Sequence, residues 1–203
     1  MTPIGCLLII FAIDRCLALY KNTFEATLGC LQFNANVGYY EAHPYFSTAA
    51  FKNIVITPEN VTVLRVGMLG RQDGHIRLAP VQYPYDNTKM HEFVISGWDN
   101  TRTEIRCYMR KDPKIRVENQ ILAAFSSHGL LSEFSPLMIQ MHFYPGGEVK
   151  IFKDADSVPM VTFKDPKLSF AYMGFNSWVV PVIYFYDCPL EVDRRDCTGI
   201  VFS

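Results

Sequence analysis

The segment EFVISGWDNTRTEIR, residues 92–106, concentrates polar and aromatic side chains that could bind a ligand. Trp98 and Asn100 lie at the joint between two apparent strands, and Arg106 lies on the second strand. An amide and a guanidinium donate hydrogen bonds, while the face of an indole offers a stacking surface. The segment is therefore either a binding edge or a hairpin without a ligand.

A second polar row lies upstream in DGHIRL, where alternation with period two places Asp73, His75 and Arg77 on one face of a strand. Such a row could hold a hydroxylated ligand. If this strand neighbours the one that carries Arg106, the two rows form a polar patch with tryptophans as stacking surfaces. The predicted ligand-binding residues are Asp73, His75, Arg77, Trp98, Asn100, Arg106 and Trp178.

Each of these residues also has an explanation that needs no ligand. Arg106 could form a cross-strand ion pair with Glu92 or Glu104. The two tryptophans could pack against the sheet, Asn100 could form a turn, and His75 could be a hydrogen-bonded surface residue.

Motifs of enzymes are missing from the sequence. It contains no GxSxG, no GxxxxGK[ST], no HExxH and no GxGxxG between a strand and a helix. No CxxC or closely spaced Cys/His pair suggests a metal site. The sequence therefore predicts no catalytic residues, no metal and no cofactor.

The elements that must position the polar rows are strands. Residues 137–144, LMIQMHFY, alternate between apolar and polar, and Pro145, Gly146 and Gly147 then turn the chain into a returning strand. Similar runs recur about every ten residues, which is typical of antiparallel sheets. We predict an all-β fold, a single antiparallel β-sandwich of jelly-roll-like character over residues 19–203.

The N-terminus predicts secretion. Cys6 to Ile13 is an apolar run of signal-peptide length, and small residues precede a cleavage site after Ala18, so residues 1–18 are predicted as a signal peptide. A buried N-terminal strand is the alternative. No other stretch is long and apolar enough to predict a membrane span. The formal net charge of −1, without any basic block, argues against nucleic acid as a partner.

Four cysteines remain after the predicted cleavage: Cys30, Cys107, Cys188 and Cys197. They permit three pairings. We favour Cys188 with Cys197 around a short polar loop, and by elimination Cys30 with Cys107. Asn60 begins an Asn-Val-Thr acceptor, which predicts N-glycosylation in the secretory route.

The segments DGHIRL, HEFVISGWDNTRTEIR, GGEVKI, VTFKD and YMGFNSW resemble, in this order, the farnesoic acid O-methyltransferase-like domain of arthropod and other invertebrate proteins. The resemblance covers about residues 50–187. The matching positions are Asp73, His75, Glu92, Gly97, Trp98, Asn100, Thr101, Arg106, Gly147, Asp165, Gly174, Phe175 and Trp178.

The family name implies methyl transfer from S-adenosylmethionine to farnesoic acid. The residues themselves favour another function, because the antiparallel pattern lacks the glycine-rich strand-to-helix turn that Rossmann-type methyltransferases use. We therefore expect a secreted noncatalytic binding module for a glycan or an extracellular protein. Farnesoic acid O-methyltransferase activity is the alternative, and association through an exposed sheet edge is a third possibility.

Overall fold

Two antiparallel sheets packed face to face make up the protein in a computed structural model that describes residues 22–36 and 38–190. The prediction of an all-β, jelly-roll-like sandwich is confirmed. No helix in these ranges is long and apolar enough to cross a membrane. Residues 1–18, predicted as a signal peptide, lie outside the described ranges, so the domain boundary at residue 18 stays a prediction.

The seven-stranded sheet has the order β1-β13-β4-β9-β10-β11, and β3 also pairs with β4. Its strands are β1 (Leu31–Ala35), β3 (Val55–Ile56), β4 (Thr62–Leu69), β9 (Leu137–Phe143), β10 (Glu148–Lys153), β11 (Val161–Lys164) and β13 (Val182–Tyr186). Short 3-10 turns at Thr23–Thr27 and Thr48–Ala50 lie before β1 and after β2.

The six-stranded sheet has the order β2-β12-β5-β6-β7-β8 and carries the predicted ligand-binding residues. Its strands are β2 (Tyr45–Ser47), β5 (Gly74–Ala79), β6 (Thr88–Ser96), β7 (Arg102–Arg110), β8 (Arg116–Ser126) and β12 (Tyr172–Ser177). A single turn, Gly97–Asn100, joins β6 to β7.

The core lies between the two sheets and follows from the alternation in the sequence. In β9, Ile139 and Met141 point inward and are fully buried, as the pattern predicts. Ile76, Phe93 and Ile105 point inward from β5, β6 and β7 of the opposite sheet. Each such side chain contributes about 1.5–3 kcal/mol by leaving water. Residues at the intervening positions of β5, β6 and β7 must consequently lie on the outer face of the six-stranded sheet.

The predicted turn at Pro145, Gly146 and Gly147 is confirmed as the hairpin between β9 and β10. Gly146 and Gly147 have positive φ angles of 85° and 84°. At Gly147 a Cβ atom would lie 2.2 Å from the carbonyl oxygen of Asp165, so this position requires glycine for space as well as conformation.

The disulfide joins Cys30 to Cys188, which corrects the predicted pairs Cys30–Cys107 and Cys188–Cys197. Cys30 directly precedes β1 and Cys188 follows β13. Because these strands are antiparallel neighbours, with Leu31 opposite Tyr186, the start of one meets the end of the other. Cys107 is a free thiol buried on β7 of the other sheet. Cys197 lies outside the described residues.

Replacing Cys30 and Cys188 together with serine should lower the free energy of unfolding by about 2–5 kcal/mol, because a long loop of chain loses its closure. Urea unfolding of the variant and the parent measures this loss. Peptide mapping without reduction should recover a Cys30–Cys188 linked peptide and an unlinked Cys107 peptide. A Cys188–Cys197 peptide would contradict the assignment.

Candidate functional site

A groove of about 650 Å³ opens on the outer face of the six-stranded sheet. It receives side chains from β5, β6 and β7, from the loops that precede β2 and β8, and from the segment after β12. Its lining consists of Tyr39, Tyr40, Gln72, Asp73, His75, Val94, Trp98, Asp99, Arg106, Arg110, Lys114, Arg116, Trp178 and Val179.

Strand register builds the floor of the groove as a row of charges. Arg77 on β5 lies opposite Glu92 on β6, and Glu92 lies opposite Arg106 on β7. Arg77 Nε donates to Glu92 Oε1 at 2.7 Å, and Arg106 Nε donates to Glu92 Oε2 at 2.7 Å. We call these three residues the Arg-Glu-Arg row. One carboxylate thus holds two guanidinium groups on adjacent strands.

Tyr39 covers the row from the loop after β1. Its hydroxyl accepts a hydrogen bond from Arg106 Nη2 at 2.9 Å and donates to Glu92 Oε2 at 3.2 Å. Its ring lies 4.8 Å from the guanidinium carbon of Arg77. This cover leaves Glu92 0% and Arg77 1% exposed.

The electrostatics of the row follow from this burial and pairing. Burial alone would raise the pKa of the Glu92 carboxyl, but Arg77 and Arg106 hold that pKa well below its usual range. Burial likewise opposes the charge on Arg106, yet Glu92 raises the pKa of its guanidinium. All three groups are therefore charged at neutral pH.

Arg110 extends the floor toward the end of β7 and is only 1% exposed. Its guanidinium carbon lies 4.7 Å from the Tyr39 ring and 5.1 Å from the Tyr108 ring, and its Nη1 donates to the carbonyl oxygen of Pro113 at 2.5 Å. Its Nε and Nη2 atoms are buried without a hydrogen-bond partner, and so is Nη2 of Arg77.

His75 lies beside the row and is buried, not a surface residue. Its Nδ1 atom is 3.4 Å from Glu92 Oε1, in a geometry that makes no hydrogen bond, and Nε2 also lacks a partner. Burial lowers the pKa of His75 below the ordinary histidine value, which outweighs the opposing effect of Glu92. A neutral imidazole, with one nitrogen to donate and one to accept, thus faces the groove.

Trp98 occupies a turn in which the backbone is left-handed at several consecutive positions. Ser96, Trp98, Asp99 and Asn100 have φ angles between 51° and 61°. The Asn100 side chain holds this turn in place, because it donates to the carbonyl oxygen of Leu131 at 2.8 Å and accepts from the Leu131 amide at 3.2 Å. The turn leaves the Trp98 side chain 49% exposed at the edge of the groove.

Trp178 follows β12 and forms the facing wall. Its ring centroid lies 4.3 Å from that of Tyr39 and 5.3 Å from that of Tyr40. Both Trp178 and Tyr40 are exposed on their remaining surface. The groove therefore combines open aromatic faces with a charged and hydrogen-bonding floor.

Five of the seven residues predicted to bind a ligand line this one groove, namely Asp73, His75, Trp98, Arg106 and Trp178. Arg77 lies beneath it in the Arg-Glu-Arg row, and Asn100 points to Leu131 instead. Arg106 forms the ion pair with Glu92 and lines the groove as well, so both interpretations of this residue are compatible. Asn60 lies exposed in the turn before β4, and its glycosylation stays a prediction.

Tyr39, Tyr40, Arg110, Lys114 and Arg116 also line the groove but were not among the residues predicted from the sequence. The sequence does contain a signal for Arg110, because this residue continues the alternation of Glu104, Arg106 and Tyr108 along β7. The tyrosines lie in a loop, where no periodic pattern indicates which strand they cover.

A separate cluster could in principle ligate a metal. His91, Cys107 and Asp165 each offer a ligand atom, and these atoms lie within 4.8 Å of one another. Their types suit Zn²⁺, whose ligands at about 2.0–2.3 Å from the ion lie roughly 3.3 Å or more apart. His91 Nε2 lies only 2.8 Å from Asp165 Oδ2, which is a hydrogen bond. Burial also raises the pKa of the Cys107 thiol, which disfavours the thiolate that a metal needs.

A sequence model described as farnesoic acid O-methyl transferase matches residues 39–190, well over half of the 203-residue chain. The chain belongs to this family. The match confirms the resemblance found in the sequence and extends it to include Tyr39 and Tyr40. Among curated proteins, none matches this sequence.

Several solved structures are similar in shape at low sequence identity. A glycosidic hydrolase has 11% identity and a TM-score of 0.44, with 83% of this chain and 77% of that chain covered. A Bacillus licheniformis β-glucanase has 12% identity and a TM-score of 0.41, with 77% of this chain and 95% of that chain covered. The carbohydrate-binding module CBM66 from Bacillus subtilis has 9% identity and a TM-score of 0.37, with 65% of this chain and 87% of that chain covered. Similarity at this level carries no argument about what this groove binds.

Replacing Glu92 with glutamine should lower the free energy of unfolding by about 3–5 kcal/mol, because Arg77 and Arg106 would then be buried without a compensating charge. Chemical denaturation measures the loss. The matched control is Glu148→Gln, whose carboxylate is exposed and pairs with Lys150 at 3.7 Å; it should change stability by less than about 1 kcal/mol. Equal effects of the two substitutions would contradict the role assigned to Glu92.

Stability should fall as the pH drops from about 7.5 to 5.5. Burial lowers the pKa of both His75 and His91 in the folded protein, so below about 6.5 the unfolded chain binds more protons than the folded one. The lowered pKa of Glu92 causes a further loss of stability only below about pH 4.5, where the carboxyl of the unfolded chain becomes protonated. The midpoints of urea unfolding, measured across this pH series, show whether stability falls on acidification.

His91→Gln is the control for the pH series, because glutamine can still donate to Asp165 but does not titrate. We expect this variant to lose less stability between pH 7.5 and 5.5 than the parent does. A parent midpoint that stays constant or rises on acidification would show that the buried histidines are not neutral.

Proposed function

We propose that the protein is a secreted, noncatalytic binding module whose groove recognises a glycan. The observation that carries the proposal is the open groove with Trp98 and Trp178 at its walls and hydrogen-bonding side chains at its floor. Pockets that bind small molecules combine apolar walls with a few placed polar groups in this way.

The chemistry of the groove suits a sugar ring. A pyranose has C–H groups on its flat faces and hydroxyl groups at its edges, so it needs an aromatic surface and, beside it, donors and acceptors. Trp178 and Tyr40 supply exposed aromatic surface. Asp73 accepts hydrogen bonds, and Arg106 and His75 lie on the floor between the walls.

Secretion is part of the proposal and is supported by two features. The apolar run at residues 6–13 has the length of a signal-peptide core. The Cys30–Cys188 disulfide is of a kind that persists in oxidising compartments.

Methyl transfer to farnesoic acid is the second candidate, favoured by the description of the family. A terpenoid acid could also use aromatic walls and basic groups. The groove opens on the face of an antiparallel sheet, whereas familiar S-adenosylmethionine sites use a strand-to-helix turn of a parallel sheet. This difference in architecture is our reason for preferring the binding module.

Trp178→Ala and Trp98→Ala should each weaken glycan binding by about ten-fold or more, since burial of a large apolar side chain against a ligand contributes about 1.5–3 kcal/mol. A glycan array finds the ligand, and calorimetry with the strongest array ligand measures the affinity. Phe134→Ala is the control, because Phe134 is 84% exposed and lies outside the groove. No binding on the array, or tryptophan variants that bind like the parent, would contradict the proposal.

The protein should transfer no radiolabel from S-adenosylmethionine to farnesoic acid. The assay uses the purified protein at high concentration with both compounds present. Methyl farnesoate formed in proportion to protein, and abolished by Arg106→Ala, would establish the enzyme and overturn the noncatalytic assignment.

A further inference from the structure

We infer that the ligand of the groove carries an anionic oxygen group, a carboxylate or a sulfate ester, which binds at Arg110 between Lys114 and Arg116. The inference rests on the proposed function and deepens it from glycans in general to acidic glycans. Its basis is the balance of charge along the groove and a set of buried donors that the protein leaves without partners.

The floor of the groove has more positive than negative charge. Arg77, Arg106 and Arg110 are all buried there with two carboxylates, Glu92 at their centre and Glu104, which lies 3.7 Å from Arg106 Nη1 and also pairs with Arg102. Both oxygens of Glu92 are engaged, Oε1 by Arg77 and Oε2 by Arg106. Within residues 22–36 and 38–190, no carboxylate oxygen lies within 4.0 Å of the Arg110 guanidinium.

The unpartnered donors belong to this excess charge. Nε and Nη2 of Arg110 and Nη2 of Arg77 make no hydrogen bond. An unsatisfied buried donor costs about 1–3 kcal/mol, and more when it is charged. Arg110 lines the groove, and its Nε and Nη2 atoms are buried there, so an oxygen of a ligand reaches them only by entering the floor of the groove. Carboxylate and sulfate groups are acceptors only, with a planar or trigonal array of oxygens that suits a guanidinium fork.

The neighbours of Arg110 strengthen the preference for an anion. Lys114 and Arg116 line the same end of the groove, and the chain turns there from β7 into β8. Neither residue forms an ion pair within 4.0 Å among the described residues. Rim charges of this kind steer an oppositely charged ligand toward the site.

The groove is polarised along its length. Its acidic residues, Asp73 and Asp99, lie at the other end, beside the turn from β6 into β7. Residues 102 and 110 mark the two ends of β7 and are separated by roughly 25 Å of extended chain. An acidic glycan would therefore bind in one direction, with its acid group at Arg110 and neutral hydroxyl groups near Asp73.

A cationic ligand fits the same groove poorly. Tyr39 is the aromatic ring nearest the floor, and two guanidinium groups already lie against it, Arg77 at 4.8 Å and Arg110 at 4.7 Å from its centroid. A further cation at this position would be repelled by both. The ring therefore holds Arg110 at the floor of the groove and Arg77 beneath it.

The test is calorimetry with matched pairs of saccharides on the full-length protein. Oligogalacturonate is compared with its methyl ester, a sulfated galactan oligosaccharide with its desulfated neutral form, and neutral chito-oligosaccharide serves as a further reference. We expect the acidic member of at least one pair to bind ten-fold or more tightly than its neutral form, and the gap to shrink as salt rises. The pair whose acidic member binds more tightly shows whether the ligand carries a carboxylate or a sulfate.

The inference is tested with a substitution at Arg110 and with a second, surface variant that can be measured even if the Arg110 variant does not fold. Arg110→Gln should remove most of the preference for the acidic ligand. The double variant Lys114→Gln, Arg116→Gln changes exposed residues only and should reduce the preference and its salt dependence. Lys164→Gln, exposed on the other sheet, is the control and should change neither.

The outcomes separate the two proposals. If neutral and acidic members of both pairs bind equally, the acidic-glycan inference is wrong while the binding module stands. If the parent protein binds none of the saccharides, or if the tryptophan variants bind like the parent, the binding module fails and the inference falls with it. If Arg110→Gln and the double variant both keep the full acidic preference, the anion binds elsewhere and the assignment to Arg110 is overturned.

Discussion

The pairing of one buried carboxylate with two guanidinium groups is the constraint on which the outer face of the six-stranded sheet depends. Glu92 can be ionised in a buried position because Arg77 and Arg106 lie directly across from it on β5 and β7. A row of apolar side chains would stabilise the sheet as well or better, since buried ion pairs seldom repay the cost of removing charge from water. The arrangement is therefore better explained by what it presents to the groove than by what it adds to stability.

The sandwich and its core were predictable because alternation alone decides them. Ile139 and Met141, or Ile76 and Phe93, must face inward if the strands form at all, and the polar positions between them must face outward. The same reasoning placed Asp73, His75 and Arg106 on one surface once β5, β6 and β7 were neighbours. Alternation could not predict that another side chain lies over this surface, because that side chain is Tyr39, which belongs to a loop without periodicity. Burial of His75, and with it the neutral imidazole, was thus outside what the pattern could indicate.

The disulfide was mispredicted for a related reason. A short loop between two cysteines is attractive when only distance along the sequence is known, but distance in space is set by strand pairing. β1 and β13 are far apart in sequence and adjacent in the sheet, which brings Cys30 and Cys188 to a Cα separation of 4.2 Å. Cys107 lies on the inner face of β7 with Ile105, and the residue opposite it on β6 is His91 instead of another cysteine. Pairings between distant strands are the part of a β-fold that local sequence specifies least.

The walls of the groove combine local backbone strain with a fixed position of their aromatic rings. Trp98 adopts a left-handed conformation that costs roughly 1–2 kcal/mol for a residue other than glycine. Two hydrogen bonds between Asn100 and Leu131 hold the turn in that conformation, so Asn100, which was predicted to bind a ligand, positions Trp98 at the edge of the groove. On the opposite wall, Tyr39 fixes Trp178 from one side and two arginines from the other. These aromatic side chains are already held in place before a ligand binds, so binding costs less conformational entropy than it would at a flexible site. Strained backbone is often found at binding sites, and the left-handed Trp98 at the edge of this groove is consistent with the binding module proposed above.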